Sequence, residues 1–361
     1  MDSLTQAALG AVVGERLLGS RLGKSALAWG ALVGTLPDLD ILAYPWLDTI
    51  AELYWHRGFS HSLVGVLVGT PIVAWILWRW WNRRSRIGAG ENPRIPFTLV
   101  ALFVFLNFAS HILIDCFTGY GTQLLEPFSD QRFGLNIFFI IDPLFSLPLL
   151  VWIAAALMRK AQPGVAARPW AFGCAVAVIG YVAFSFSAQS IASNRFEREL
   201  ADRGIEPLRG QVSAAPFTTL IWRGLYETDD AFWISYWAVT DADERLSFAK
   251  VPRQTTFLDP YRGDRAIDCA LWFSEEYLLV EPSADGASFE TTDLRFTEFW
   301  PDDTNGMPRT FFSWRIAPET ADLPAIFEPI RSTNRDLAGL FEKLRERLSG
   351  NQTALLPAET K

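Results

Sequence analysis

Cysteine, methionine and histidine are all scarce in this chain, with three of each among 361 residues. Cys116, Cys174 and Cys269 form neither a CxxC pair nor a disulfide framework, so a cysteine-built zinc finger or a disulfide scaffold is excluded. Basic blocks are absent and the net charge is -8, which argues against nucleic acid as a partner. No GxSxG elbow, Walker loop or GxGxxG occurs, and the serine-hydrolase, nucleotide and dinucleotide schemes therefore lack their residues. A cleavable signal peptide is not expected, because MDSLTQAALGAVVGERLLG has no basic region ahead of its apolar stretch. There is no internal repeat and no low-complexity segment.

What the chain has in abundance is apolar and aromatic side chains: half its residues are hydrophobic, with 15 Trp and 27 Phe. That is too apolar for an average soluble enzyme and moves the expectation towards a membrane protein. Long uncharged runs fill residues 1–193, whereas 194–361 reads as amphipathic sequence. The first region carries 13 Lys and Arg against 11 Asp and Glu, the second 19 against 29, so the acidity belongs to the second. A crossing needs about 20 mostly apolar residues. Residues 61–81, 95–116, 136–158 and 169–192 meet that need, and two weaker segments, 3–19 and 24–44, precede them.

Sidedness follows from Lys and Arg in short loops, which stay cytoplasmic. Arg83, Arg84, Arg86 and Arg94 mark one inner linker, Arg159, Lys160 and Arg168 another, and Arg16, Arg21 and Lys24 an inner turn. Alternation then places the N-terminus, loops 44–60 and 117–135, and everything after about residue 193 outside. Eleven of the 13 basic residues before position 194 fall inside, leaving only Arg57 and Arg132 outside. The expected fold is thus an α-helical polytopic membrane domain of about six helices (1–193), followed by a small, mainly antiparallel α+β extracytoplasmic domain (194–350). TLIWRGLYE, AFWISYWAV and RTFFSWRIA read as strands, and PDDTNG as a turn. A closing helix is expected over 334–349, with Leu337, Leu340, Phe341, Leu344 and Leu348 on one face and Gly350 as its stop. Residues 351–361 read as a flexible tail.

Ionisable residues at the ends of membrane helices are costly to desolvate and mark functional sites. Asp38 and Asp40 (PDLD) end the second segment, His56 and His61 (HRGFSHS) open the third, His111 and Asp115 (HILID) end the fourth, and Asp142 opens the fifth. Lys and Arg alone set the topology, yet all seven converge on its outer side. His111 and Asp115 are four apart and share a helix face on which they can grip one ion. Taken singly, each residue also has a plainer reading. Asp40 or Asp142 reads equally as a cap or turn residue, Ser60 or Ser62 as an N-cap, Asn107 as helix packing, and Arg57 as an anion binder or a partner for one of the acids. Mixed imidazole and carboxylate ligands suit zinc first, with manganese or iron as alternatives, and the ligand number allows one or two ions. Such an ion lowers the pKa of its water to near 7, which makes metal-assisted hydrolysis the natural reaction class.

MDSLTQAALGAVVGE, GTLPDLD, HRGFSHS, HILIDCFTGYGTQLLEPFS and IIDPLF together resemble the bacterial membrane-bound metal-dependent hydrolase family, some of whose members are LexA-regulated. The resemblance covers roughly residues 1–150. It implies an inner-membrane helical hydrolase, distantly similar to zinc-dependent bacterial phospholipase C, whose sites also use a histidine and an aspartate four apart. It carries over His111 and Asp115, His56 and His61, and Asp38 and Asp40 as metal ligands; many relatives have His where this chain has Gln6. The expectation is therefore an inner-membrane hydrolase acting on an ester or phosphoester, such as a membrane lipid, at the extracytoplasmic face, with Asp142 and Arg57 as further catalytic candidates. A phosphatidic-acid-phosphatase-like enzyme is a second enzyme reading, but NFAS stands at Asn107 to Ser110 where Ser-Arg is expected before that histidine. From another class, a transporter or metal-binding scaffold would hold an ion without turnover.

Overall fold

The structure is a computed structural model that describes residues 1–87, 94–158, 168–242, 245–284, 287–298, 300, 308–319, 325–330 and 337–357. Several sequence expectations lie outside these residues, among them Arg159 and Lys160 of the second basic linker, the PDDTNG turn and the start of the closing helix. The chain divides into two compact units, one of Met1–Leu47 and Tyr54–Phe184, the other of Asp48–Leu53 and Ser185–Lys361.

In the first unit, α1 (Ser3–Leu22) starts at Asp2, whose side chain accepts the Thr5 amide at 3.0 Å, an N-cap. It packs against α2 (Ser25–Gly34) at unusually short range. A Cβ on Gly10 would lie 2.3 Å from the Gly30 carbonyl oxygen, and one on Gly14 2.2 Å from that of Ala26. Glycine at four-residue spacing on both helices permits this approach. After α2 the chain bends by 51° into a 3₁₀ segment, Pro37–Trp46. The short α3 (Thr49–Trp55) and a 3₁₀ turn, Phe59–His61, lead to α4 (Leu63–Ile87), whose first turn is capped by Ser62 Oγ accepting the Gly65 amide. Then come α5 (Phe97–Cys116), α6 (Pro143–Met158) and α7 (Arg168–Asp202).

Leu63–Arg83, Phe97–Cys116 and Ala171–Asp202 are long and apolar enough to cross a membrane, and α2 with the 3₁₀ segment makes a fourth if the bent pair is one span. α1 does not meet that measure; it carries Glu15, Arg16 and Arg21. The expected helix over 136–158 is shorter than its apolar run. Residues 136–142 are not helical, Phe138 bridges to Thr118, and the helix starts only at Pro143. Pro143 supplies a first-turn residue without an N–H, and Asp142 caps it by accepting the Leu144 and Phe145 amides at 3.0 and 3.1 Å. Sixteen residues then give a helix of about 24 Å, short of a hydrocarbon core of about 30 Å.

The second unit holds two four-stranded antiparallel meanders. The first runs β1 (Arg209–Ala214), β2 (Ile221–Glu227), β3 (Ala231–Ala238) and β4 (Phe248–Pro252), with Trp222 opposite Trp237. After α8 (Arg265–Phe273), the second runs β5 (Leu278–Pro282), β6 (Phe289–Asp293), β7 (Ser313–Ala317) and β8 (Ile326–Pro329). β2 is buried along its whole length because both faces of its sheet are covered. Trp222 and Tyr226 join Phe196 and Leu200 of α7, while Ile221 and Leu225 join Leu340 and Leu344 of α9 (Leu337–Leu348). Gly224 is required here, since a Cβ would meet the Phe196 ring at 2.8 Å. Between the covered faces, Arg223 Nη2 pairs with Glu298 Oε1 at 2.6 Å, and the Tyr236 hydroxyl donates to Glu298 Oε2 at 2.8 Å. Burial pushes the Tyr236 phenol well above its ordinary value, so it remains the donor. Gly350, at φ +100°, follows α9 as expected. The expected flexible tail is corrected for residues 351–357: Leu355 and Leu356 are buried in the core below α9.

Candidate metal centre

α5 ends on the HILID sequence, and one helical turn separates His111 from Asp115, so both side chains project from one face. His61 reaches the same point from the 3₁₀ turn before α4, and Asp38 from the first turn of the 3₁₀ segment after α2. One ligand atom from each of Asp38, His61, His111 and Asp115 lies within 4.8 Å of the others, a group in which metal binding is sterically feasible. His61 Nε2 and His111 Nε2 are 3.1 Å apart, and each is 3.3 Å from Asp38 Oδ1. Asp115 Oδ2 lies 3.4 Å from His61 Nε2 and 3.5 Å from His111 Nε2. A regular tetrahedron with metal–ligand bonds of about 2.0–2.1 Å has edges of about 3.3 Å, close to these five separations, while the Asp38 and Asp115 oxygens lie within 4.8 Å of each other.

The hydrogen bonds behind His111, His61 and Asp115 leave their ligand atoms facing inward. His111 Nδ1 donates to the Gly34 carbonyl at 2.6 Å, which directs the Nε2 lone pair into the cluster. His61 Nδ1 is 2.9 Å from Ser60 Oγ and 3.6 Å from Asp40 Oδ2, fixing that ring in the same way. Two unprotonated Nε2 atoms at 3.1 Å repel unless a cation lies between them. Asp115 Oδ1 accepts Gln6 Nε2 at 3.0 Å, lies 3.3 Å from Arg57 Nη2 and contacts the Met1 amino group. Asp115 Oδ2 is buried and has no hydrogen-bond partner among the described residues, leaving an acceptor that faces the cluster. Imidazole and carboxylate donors at these separations fit a zinc-type ion.

Of the six sequence-derived ligands, the structure brings these four together and sets Asp40 and His56 behind them. Asp40 Oδ1 is 3.2 Å from His56 Nδ1, and its Oδ2 accepts the Arg57 amide at 3.0 Å and Ser60 Oγ at 3.3 Å. Arg57 is buried at φ +59°, donates to Thr118 Oγ1 at 3.1 Å and lies 4.8 Å over the Tyr120 ring. It pairs with an acid, one of the two readings its sequence position allowed. Asp142 has Leu144, Phe145 and the Tyr181 hydroxyl, at 2.8 Å, as its partners, and lies outside the four-residue group. Asn107 donates to the Phe103 carbonyl, and its Oδ1 fills the space beside Gly10 and Gly34.

Sequence reasoning did not anticipate the Gly34 carbonyl. Its signal was present in Gly10, Gly14, Gly30 and Gly34, whose four-residue spacing brings α1 against α2 and sets that carbonyl beside α5. Gln6 was singled out only for replacing a relative's histidine; here it stabilises the outer oxygen of Asp115.

Helices of membrane-spanning length joined to a separate antiparallel β unit define a membrane protein with its ionisable cluster at the helix ends. Residues 1–191, more than half of the chain, match the family described as YdjM inner membrane protein, and the chain belongs to that family and resides in the inner membrane. It is similar to Inner membrane protein YbcI of Escherichia coli (strain K12), at 31% identity over 132 residues, covering 36% of this chain and 69% of that one. It is also similar to Uncharacterized protein YfhP of Bacillus subtilis (strain 168), at 24% identity over 308 residues, covering 82% of this chain and 87% of that one. No solved structure matches the chain.

Proposed function

We propose that this protein is an inner-membrane metal-dependent hydrolase that cleaves an ester or phosphoester of a lipid or other membrane-proximal molecule at the extracytoplasmic face. The observation that carries this reading is the convergence of two imidazole Nε2 atoms and two carboxylate oxygens within 4.8 Å of one another, one of those oxygens having no hydrogen-bond partner among the described residues. Bound there, a single zinc-type ion supplies Lewis acidity and makes water a nucleophile near neutral pH. His61, His111 and Asp115, whose side chains are at most 1% exposed, hold the ion, and their partners Ser60, Gly34 and Gln6 keep them oriented. Asp38 differs, with a side chain 21% exposed, so it occupies the side from which water and substrate arrive. Its carboxylate is assigned the general-base role, taking the proton of the attacking water. Arg57 is a positioning residue: its guanidinium neutralises Asp115 and is held by Thr118 and Tyr120.

The proposal includes six membrane segments formed by α1, α2 with its bent extension, α4, α5, α6 and α7, with the β unit periplasmic. The inward bias of the basic residues supports that arrangement. A second reading draws on a specific observation: four protein ligands at tetrahedral separations fill a closed shell, as in structural zinc sites, which suits a metal-binding scaffold or transporter without turnover. Hydrolysis separates the two. Purified protein is assayed against ester and phosphodiester panels with and without metal reconstitution. The enzyme reading expects metal-dependent turnover that disappears in His111→Ala, and turnover unaffected by metal removal would refute it.

A further inference from the structure

The segment Pro37–Trp46 is inverted relative to what water selects. Its acids turn inward, Asp38 to His61 and His111 and Asp40 to His56, Arg57 and Ser60, while Leu39, Ile41, Leu42 and Trp46 are exposed. Trp46 is 82% exposed, and Phe128, on the loop that follows α5, is 85% exposed. A segment solvated by water would show the reverse, because exposed aliphatic clusters are rare on soluble surfaces. The segment continues the apolar α2 after a 51° bend, and the ligands His61 and Asp115 lie beside the ends of the spans Leu63–Arg83 and Phe97–Cys116. That is the level at which headgroups meet acyl chains, where tryptophan and phenylalanine anchor proteins.

We infer that the Pro37–Trp46 segment lies in the headgroup–acyl boundary of the bilayer, with Leu39, Ile41, Leu42 and Trp46 in contact with lipid. Asp38, the partly exposed member of the metal cluster, belongs to this same segment, so the mouth of the centre lies at the depth of the headgroup–acyl boundary. On the hydrolase reading above, the substrate is then an amphiphile, with its scissile group at headgroup depth and its chains in the membrane, rather than a solute arriving from the water. The placement of the segment stands independently of that reading.

The test is made on the full-length protein in vesicles of phosphatidylethanolamine and phosphatidylglycerol. Cys116, Cys174 and Cys269 are buried, so nitroxides can be attached to Leu42→Cys, Trp46→Cys and, as a water-exposed reference, Asp229→Cys in the natural chain, with the unsubstituted protein as blank. At positions 42 and 46, collisions with oxygen should exceed those with a water-soluble nickel chelate, and the order should reverse at 229. Water-like accessibility at 42 and 46 overturns the inference. As a second measurement, Trp46 replaced by the photo-crosslinker benzoylphenylalanine should capture phospholipid in intact membranes. Capture of a second copy or of another protein segment without lipid would also overturn it. Metal-dependent hydrolysis assayed on the unsubstituted protein distinguishes this failure from failure of the hydrolase reading, and neither Leu42 nor Trp46 belongs to the ligand group.

Discussion

Asp38→Asn and Asp115→Asn are nearly isosteric changes at two members of one cluster, yet the structure predicts different outcomes. A zinc site with four protein ligands is worth about 10–16 kcal/mol at pH 7, or about 2.5–4 kcal/mol per ligand if shared evenly, which corresponds to roughly 70-fold to 900-fold in affinity. Asp115→Asn should lose that much. It also removes the charge facing Arg57, whose side chain is 4% exposed, and breaking a buried pair costs about 3–5 kcal/mol. The variant should therefore bind metal poorly and melt early. Among the described residues Asp38 has no Arg or Lys partner, and it is partly exposed, so Asp38→Asn should leave stability nearly unchanged. If Asp38 is the proton acceptor beside three buried ligands, its variant keeps metal within about 10-fold of wild type, comparable to the loss of an outer-layer partner, while turnover collapses. Competition titration against a chromogenic chelator, with thermal melting of the same samples, reads both quantities. Equal losses of affinity in the two variants would refute the reasoning, because Asp38 would then be a full ligand and the shell closed.

Other consequences are equally open to measurement. Ligation needs neutral imidazole at two positions, so below the ordinary histidine pKa of about 6.5 metal affinity should fall by up to about 100-fold per pH unit, read by competition titration; an affinity unchanged between about pH 7 and pH 5 would contradict imidazole ligation. Gly10→Ala places a Cβ 2.3 Å from the Gly30 carbonyl, pushes α2 away and withdraws Gly34 from His111, so metal affinity should fall about 10-fold to 100-fold although no ligand is altered. Asp142→Ala removes a helix cap and should cost about 1 kcal/mol of stability with metal occupancy unchanged; loss of the ion would return Asp142 to the functional group. Phosphatase and fluorescent-protein fusions after residue 194 should report outside and a reporter within 82–94 inside, and the opposite pattern would overturn the proposed sidedness.

The cluster was legible because its residues are rare and costly where they stand: all three histidines lie at span ends, and the i, i+4 spacing of His111 and Asp115 fixes their common face. Which carboxylate joins the four-residue group was not legible. Asp38 and Asp40 differ by two positions in a 3₁₀ segment that follows a bend, and no periodicity in PDLD says which one meets His61 and which one meets His56. HRGFSHS admitted both a capping and a ligand reading; Ser62 caps α4, and His61 turns into the four-residue group. The strands at TLIWRGLYE and AFWISYWAV were readable from their β-branched and aromatic content. That both faces of this sheet would be covered was not, because the covering side chains come from α7 and α9, far along the chain. The apolar run over 136–158 overstated its helix because a run of hydrophobic residues does not register where Asp142 and Pro143 begin the hydrogen-bond ladder.

Elemental analysis of the wild-type protein, purified in detergent without chelator, tests the central claim most directly. One equivalent of a transition metal per chain, zinc first, is predicted from the one four-residue group found among the described residues and its Asp115 oxygen without a hydrogen-bond partner there. Folded protein that carries no metal and acquires none on dialysis against zinc, manganese or iron would contradict the account.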